Sequence, residues 1–209
     1  AYVENNEYNY LFVGIPCFVK TIRQLQRKYP ILQKRIKYTL GLVCGHLKSD
    51  YFAKSLAWEL GIHPNNLETI DFRIKNPYTS ANNYNVKVTG IKNTERVKIE
   101  SPTKDLFVSN WGHGFFKYKA CDYCDDVLAE TADVTIGDAW LPEYSKDSLG
   151  TNVIIIRNEM IEDLFSRYKN EIEVVRITSE KVYQSQAGGF RHRRDGLQYR
   201  LHLADNKNV

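Results

Sequence analysis

Cys121-Asp-Tyr-Cys124 puts two thiols three positions apart in one loop, and only two more cysteines, Cys17 and Cys44, occur in the 209 residues. Thiolate sulfur is a soft donor that holds zinc and iron–sulfur clusters alike. A Cys-x-x-Cys pair can grip one metal centre, and two single thiols from elsewhere in the chain would complete a set of four. Structural zinc commonly uses two such pairs, and compact ferredoxins use a dense cysteine run. Neither pattern is present, so the spacing admits a shared cluster, a zinc ion, or Cys17 and Cys44 as small buried hydrophobes. His46, two residues after Cys44, could hydrogen-bond a ligating sulfur or move a proton, or be a structural turn residue. Thiol–disulfide exchange through Cys121 and Cys124 suits the chain less. That chemistry places its pair at a helix N-terminus, and here the pair follows an aromatic, basic loop.

Three other groups could carry chemistry. Gly14 and Gly137 would let backbone approach a cofactor closely, since glycine has no side chain to block it, and Asp138 adds a carboxylate to the second turn; ordinary tight turns explain both as well. Arg73 and Lys75 read as one face of a strand and could hold a phosphate, a carboxylate or a reduced flavin anion, or form a solvated edge. The basic run Arg191–Arg194 has no nucleic-acid-binding motif around it; an anionic substrate, an acidic partner or water would satisfy it.

The elements that must position these residues are legible. Residues 10–15 form a short apolar run that ends at Pro16, which predicts a buried strand. Helical spacing follows from Phe18 to Tyr29, with a second short helix through Leu32–Ile36. A second buried strand is predicted over Tyr38–Val43, then a helix from about Ser49 to Leu60, capped by Ser49 or Asp50 and closed by Gly61. Strand–helix–strand–helix order argues for parallel pairing. Ligands of open α/β sheets sit beyond the carboxyl ends of the strands, where Cys17 and Cys44 both fall. Further strands are expected over Glu68–Lys75, in a hairpin of Tyr84–Gly90 and Arg96–Glu100, and over Ala132–Trp140, Asn152–Arg157 and Ile172–Ile177, with a helix over Glu159–Tyr168. The fold class is therefore α/β (α+β): a mixed, partly parallel sheet flanked by helices, with an inserted β-hairpin and a cysteine-bearing loop.

Length fits a single domain over residues 1–209 with a basic tail at 187–209. With 43% hydrophobic and 26% charged residues the chain can form an ordinary core. The net charge of +4 does not mark nucleic-acid binding. No apolar run approaches the ~20 residues of a membrane span. No signal-peptide pattern is seen, so a cytoplasmic setting is expected, in which paired cysteines read as metal or redox sites. The first residue is Ala and a strand follows almost at once, which leads us to expect a further N-terminal portion in the natural protein.

Taken together, Gly14-Ile-Pro-Cys17, Gly41-Leu-Val-Cys44-Gly45-His46, Phe72-Arg73-Ile-Lys75, Cys121-Asp-Tyr-Cys124 and Ala132-Asp-Val-Thr-Ile-Gly137-Asp138 occur in the order seen in the beta-subunit family of coenzyme F-420 hydrogenases and dehydrogenases. Over roughly residues 10–160 the chain resembles that family. Gly188-Gly189-Phe-Arg-His-Arg193-Arg194 makes it most similar to the bacterial branch associated with polysaccharide biosynthesis. The resemblance implies an iron–sulfur flavoprotein oxidoreductase, or a subunit of one. A 4Fe-4S cluster would sit on Cys17, Cys44, Cys121 and Cys124. FAD would lie beside it, with Gly14, Gly137, Arg73, Lys75 and Asp138 lining the flavin or substrate pocket. Many relatives begin with a ferredoxin-like domain whose cysteine run is absent here, so electrons would come from a separate ferredoxin-like donor protein and pass to a small-molecule substrate or a deazaflavin-type coenzyme. A homo-oligomer is compatible; nucleic-acid and membrane partners are not expected. The competing reading is a non-catalytic interaction or scaffold protein with a structural zinc site in the same four thiols.

Overall fold

The computed structural model describes residues 2–206. The first residue, and residues 207–209 of the expected basic tail, lie outside the described residues. In chain order the first elements are β1 (Tyr10–Gly14), α1 (Pro16–Lys28), α2 (Pro30–Arg35), β2 (Ile36–Leu42) and α3 (Tyr51–Glu59). Then come β3 (Leu67–Ile74), β4 (Asn85–Lys92), β5 (Glu95–Pro102), β6 (Val134–Asp138), α4 (Pro142–Ser145) and β7 (Asn152–Ile156). The chain closes with α5 (Glu159–Arg167), α6 (Ser179–Ser185), α7 (Ala187–Phe190), a π-helical turn over Arg191–Asp195, and α8 (Gly196–Asp205). These elements divide into two compact units. The first comprises Ala1–Gly45, Asp122–Trp140 and Asn152–Val209; the second comprises His46–Cys121 and Leu141–Thr151.

The first unit holds a four-stranded sheet in the order β1-β2-β6-β7. β1 pairs with β2, and β2 with β6, in parallel; β7 runs antiparallel to β6. Parallel neighbours need a crossover, and α1 and α2 supply it. Pro16 occupies the first helical turn of α1, where its missing N–H costs nothing and its fixed φ suits the helix. Pro30 ends α1 because Tyr29, the residue before it, is pushed to an extended conformation. Val19 buries its side chain against Ala129, Ala132 and Phe12. The Gln26 amide donates to the Ile36 carbonyl at 2.9 Å and ties the helix to the start of β2. Asp133 adds a second tie. Its carboxylate accepts from the Thr39 N–H at 2.7 Å and the Thr39 hydroxyl at 3.0 Å, and pairs with Arg23 at 2.8 Å.

The second unit is built on an antiparallel sheet in the order β3-β4-β5. The β4–β5 turn is tighter than its sequence suggests: Asn93 and Thr94 alone make it, with φ of 49° and 70°, the two-residue hairpin geometry that matches strand twist. Phe52 and Leu56 of α3 pack on Val86 and Leu106, and Ala57 packs on Ile62 and Val88. Among the described residues no helix is long and apolar enough to cross a membrane.

Three expectations are corrected. Ile172–Ile177 is not a strand; among the described residues it pairs with no neighbour, and the adjacent Val174 and Val175 are both half or more exposed, so the alternation of a sheet edge is absent. Neither Ser49 nor Asp50 caps α3 with its side chain: Asp50 stands at the cap position, but its carboxylate takes Lys54 at 2.6 Å. Lys75 lies one residue past the end of β3, and the pairing shifts register between Asp71 and Ile74, so Arg73 and Lys75 do not form one regular strand face.

Close approach explains Gly41. A Cβ there would fall 2.2 Å from the Ala129 Cβ and 3.0 Å from the Ala132 Cβ. Gly41→Ala is expected to destabilise the fold by about 1–3 kcal/mol through overpacking, seen as a lower denaturant midpoint at unchanged m-value.

Candidate metal centre

The parallel register decides where two of the thiols sit. Gly14 of β1 is the partner of Gly41 of β2, and each strand carries a cysteine three residues further on. Cys17 thus lies in the first turn of α1 and Cys44 just past β2, beyond the carboxyl ends of neighbouring parallel strands. The positive end of the α1 dipole faces the same turn, which suits an anionic ligand.

Cys124 is brought to the same part of this unit by the loop that follows it. The Cys44 N–H donates to the Val127 carbonyl at 3.0 Å. Lys20, one turn after Cys17, reaches Asp125 at 3.0 Å and Asp126 at 3.6 Å. Burial alone would lower the Lys20 pKa, but the hydrogen bond to Asp125 and the negative charges of Asp126, Asp125 and Cys124 together raise it. The Asp125 carboxyl is held below its ordinary value, chiefly by the same hydrogen bond. Asp126 is buried, and its carboxylate accepts the Glu130 N–H. Arg157 closes the base of the loop with hydrogen bonds to the Thr135 hydroxyl at 2.9 Å, the Ala132 carbonyl at 3.3 Å and the Leu128 carbonyl at 3.4 Å; burial lowers its pKa.

The C-terminal segment is folded onto this loop and is not a loose tail. Arg194 pairs with Glu130. Arg200 donates to the Asp122 carbonyl at 2.7 Å and the His192 carbonyl at 2.8 Å. Arg193 is 2% exposed; its Nε donates to the Gly45 carbonyl at 2.8 Å and its Nη2 to the Cys44 Sγ at 3.6 Å.

Cys121 belongs to the second unit. The Leu47 N–H donates to its Sγ at 3.3 Å, and its own N–H donates to the Tyr118 carbonyl at 2.9 Å. His46, also in that unit, is buried and stacks on Trp111 with centroids 4.4 Å apart. Lys48 lies 4.5 Å over both the Phe52 and Trp111 rings and donates to the Phe115 carbonyl at 2.8 Å; burial, then Lys117, lowers its pKa.

All four cysteines are free thiols, a donor set chemically suited to a soft metal centre, and the buried guanidinium at Cys44 suits an anionic one. Among the described residues, no group of three or more His, Cys, Asp and Glu side chains stands close enough to enclose a single metal ion in this arrangement.

A family model for the C-terminal part of the coenzyme F420 hydrogenase/dehydrogenase beta subunit matches residues 8–180. The chain belongs to this family. Among curated proteins, no sequence matches it. Among solved structures, it is similar to a chain of the F420-reducing [NiFe] hydrogenase complex from Methanosarcina barkeri, with a TM-score of 0.53 at 16% identity. That match covers 92% of this chain and 61% of the other, so this chain spans less than two thirds of its structural neighbour. At this identity the likeness is one of fold, and it agrees with the mixed, partly parallel sheet.

The F420 hydrogenase/dehydrogenase beta-subunit match takes in all four cysteines but stops short of Arg193. Of the residues expected to face a flavin, Gly14, Gly137 and Asp138 lie in the first unit, and Arg73 and Lys75 in the second. The Asp138 carbonyl accepts from the Gln186 amide at 2.7 Å. Arg73 stacks over the Tyr84 ring at 5.1 Å. A Cβ at Gly137 would lie 2.4 Å from Val43 side-chain atoms, so close packing alone requires glycine at this position. Sequence reasoning missed Lys20, Arg157 and Arg193. Lys20 is one of several basic residues in the sequence of α1, and Arg193 read as one of several in a basic run.

The Lys20–Asp125 tie has a defined pH window. Asp125, with its pKa depressed, contributes stability that is present above the unfolded carboxylate value of about 4 and fades as pH falls through the lower folded value. Lys20, with its pKa raised, contributes below about 10.4 and loses this as pH rises through the folded value. Both partners are partly exposed, so Lys20→Met is expected to cost about 1 kcal/mol or less. Denaturant titrations should find this difference flat from about pH 5 to 9 and shrinking at both extremes.

Proposed function

We propose that this chain is an iron–sulfur flavoprotein oxidoreductase, or a subunit of one; its family description names a hydrogenase/dehydrogenase beta subunit. The observation that carries the reading is the placement of Cys17, Cys44 and the Cys124 loop around the carboxyl ends of β1 and β2, with a buried cation against one of the sulfurs. In this reading Cys17, Cys44 and Cys124 bind a 4Fe-4S cluster, and Cys121, three residues from Cys124 along the chain, supplies the fourth thiolate. Burial of Cys44 keeps water from its side of the centre. The family resemblance adds FAD, with Gly14, Arg73, Lys75, Gly137 and Asp138 as the residues proposed to meet it or the substrate. When bound, a cluster passes single electrons and a flavin collects two for delivery as a hydride equivalent.

The structural neighbour is part of a hydrogenase complex. That supports a separate electron-donor protein, with a reducible small molecule or a deazaflavin-type coenzyme as acceptor. The Gly188–Arg194 segment supports the polysaccharide-biosynthesis branch, and free thiols suit a reducing cytoplasm.

Anaerobic purification followed by metal and sulfide analysis tests the reading. About four iron and four acid-labile sulfide per chain are expected, with a broad absorbance near ~400 nm that dithionite bleaches. Cys44→Ala and Cys124→Ala should each lose most of that iron. A colourless, iron-free protein would overturn the reading, and about one zinc per chain without sulfide would replace it with the scaffold alternative.

A further inference from the structure

Most cations that fasten the first unit also reach a carboxylate. Lys20 has Asp125 and Asp126, Arg23 has Asp133, Arg35 has Glu7, Arg194 has Glu130, and Arg200 has Asp122, all within 4.0 Å. Arg157 feels the charges of Glu130 and Asp126. Arg193 is more deeply buried than any of them, at 2% exposed. Among the described residues its hydrogen bonds go to a carbonyl and a thiol sulfur only. A buried charge is strongly unfavourable unless an opposite charge compensates it, and satisfying the Gly45 carbonyl alone would need only a neutral donor.

The backbone carrying Arg193 is itself irregular. α7 and α8 are separated by a π-helical turn over Arg191–Asp195, a distortion that is rare and concentrates at functional sites. Arg193 is the only residue of that turn that is buried, whereas Arg191 and Arg194 are exposed.

We infer that Arg193 is a positioning residue for the proposed cluster: its guanidinium, held on Cys44 Sγ, supplies the positive charge that offsets the anionic centre and raises its reduction potential. This rests on the cluster reading above. Net charge, hydrogen bonds to sulfur and solvent exposure are what set such potentials, and Arg193 acts on all three: it adds charge, donates to Sγ and fills the space against Cys44. In the step concerned, one electron enters the centre, no bond forms or breaks, and Arg193 keeps its proton.

The test is the midpoint potential of the anaerobically loaded full chain, titrated with dithionite in the presence of redox mediators and read by absorbance near ~400 nm. Iron and sulfide are counted in each sample. Arg193→Gln should shift the one-electron equilibrium at least tenfold toward the oxidised form, ~59 mV more negative, at equal cluster content. Arg191→Gln removes the same charge from an exposed position two residues away and should leave the midpoint in place. Arg193→Lys keeps the charge and should restore most of the potential. A loaded Arg193→Gln chain with the wild-type midpoint overturns this inference and leaves the cluster reading standing. A wild-type chain without iron and sulfide overturns both. If Arg193→Gln does not fold, Arg193→Lys decides: a loaded chain within tenfold of wild type supports the role of charge, and a folded Arg193→Lys chain that cannot hold the cluster overturns it.

Discussion

Parallel pairing of β1 with β2 is the constraint from which the rest follows. Because the two strands run the same way in register, whatever comes three residues after Gly14 and three residues after Gly41 emerges at the same edge of the sheet. Two cysteines far apart in sequence are delivered there by main-chain hydrogen bonding. The crossover that parallel pairing demands is α1, and its first turn carries Cys17. One topological requirement therefore supplies a strand end, a helix N-terminus and two thiols. Pairing of β2 with β6 then fixes the segment leading into β6, and with it the loop carrying Cys124.

Around that edge, charge does the fastening. The loop after Cys124 sets the carboxylates Asp125, Asp126, Glu130 and Asp133 among Val127, Leu128, Ala129 and Ala132. Lys20, Arg157 and Arg194 reach it from α1, from the end of β7 and from the π-helical turn, and Arg200 of α8 holds Asp122 just before Cys124. Ion pairs with exposed partners are individually weak, but several of these donors end on backbone carbonyls, which fixes the loop's path as well as its charge. Arg193 differs in kind: it is buried, reaches a sulfur, and has no carboxylate partner among the described residues.

Much of this architecture was legible in the chain. Apolar runs ending at Pro16 and at Cys44 marked β1 and β2, and the 3.6-residue spacing from Phe18 marked α1. Both elements lie within a few residues of where periodicity puts them, because strand and helix periods are properties of local sequence. The expected strand at Ile172–Ile177 failed for the complementary reason: a strand exists only through a neighbour, and the sequence of the segment does not say whether one is there. The expected Arg73–Lys75 face failed because a register shift inside β3 is set by its pairing with β4.

By itself the sequence determined the donor chemistry. Four soft thiols, two of them in one loop, and the order of the elements carrying them made a metal centre one of the expectations, since sulfur's affinity for such metals is independent of fold. Tertiary structure alone decided that Arg193 meets the Cys44 sulfur. Arg191, Arg193 and Arg194 look equivalent in a basic run. Only a π-helical turn, whose residue spacing differs from that of the α-helices on either side, buries one of them against the Cys44 sulfur.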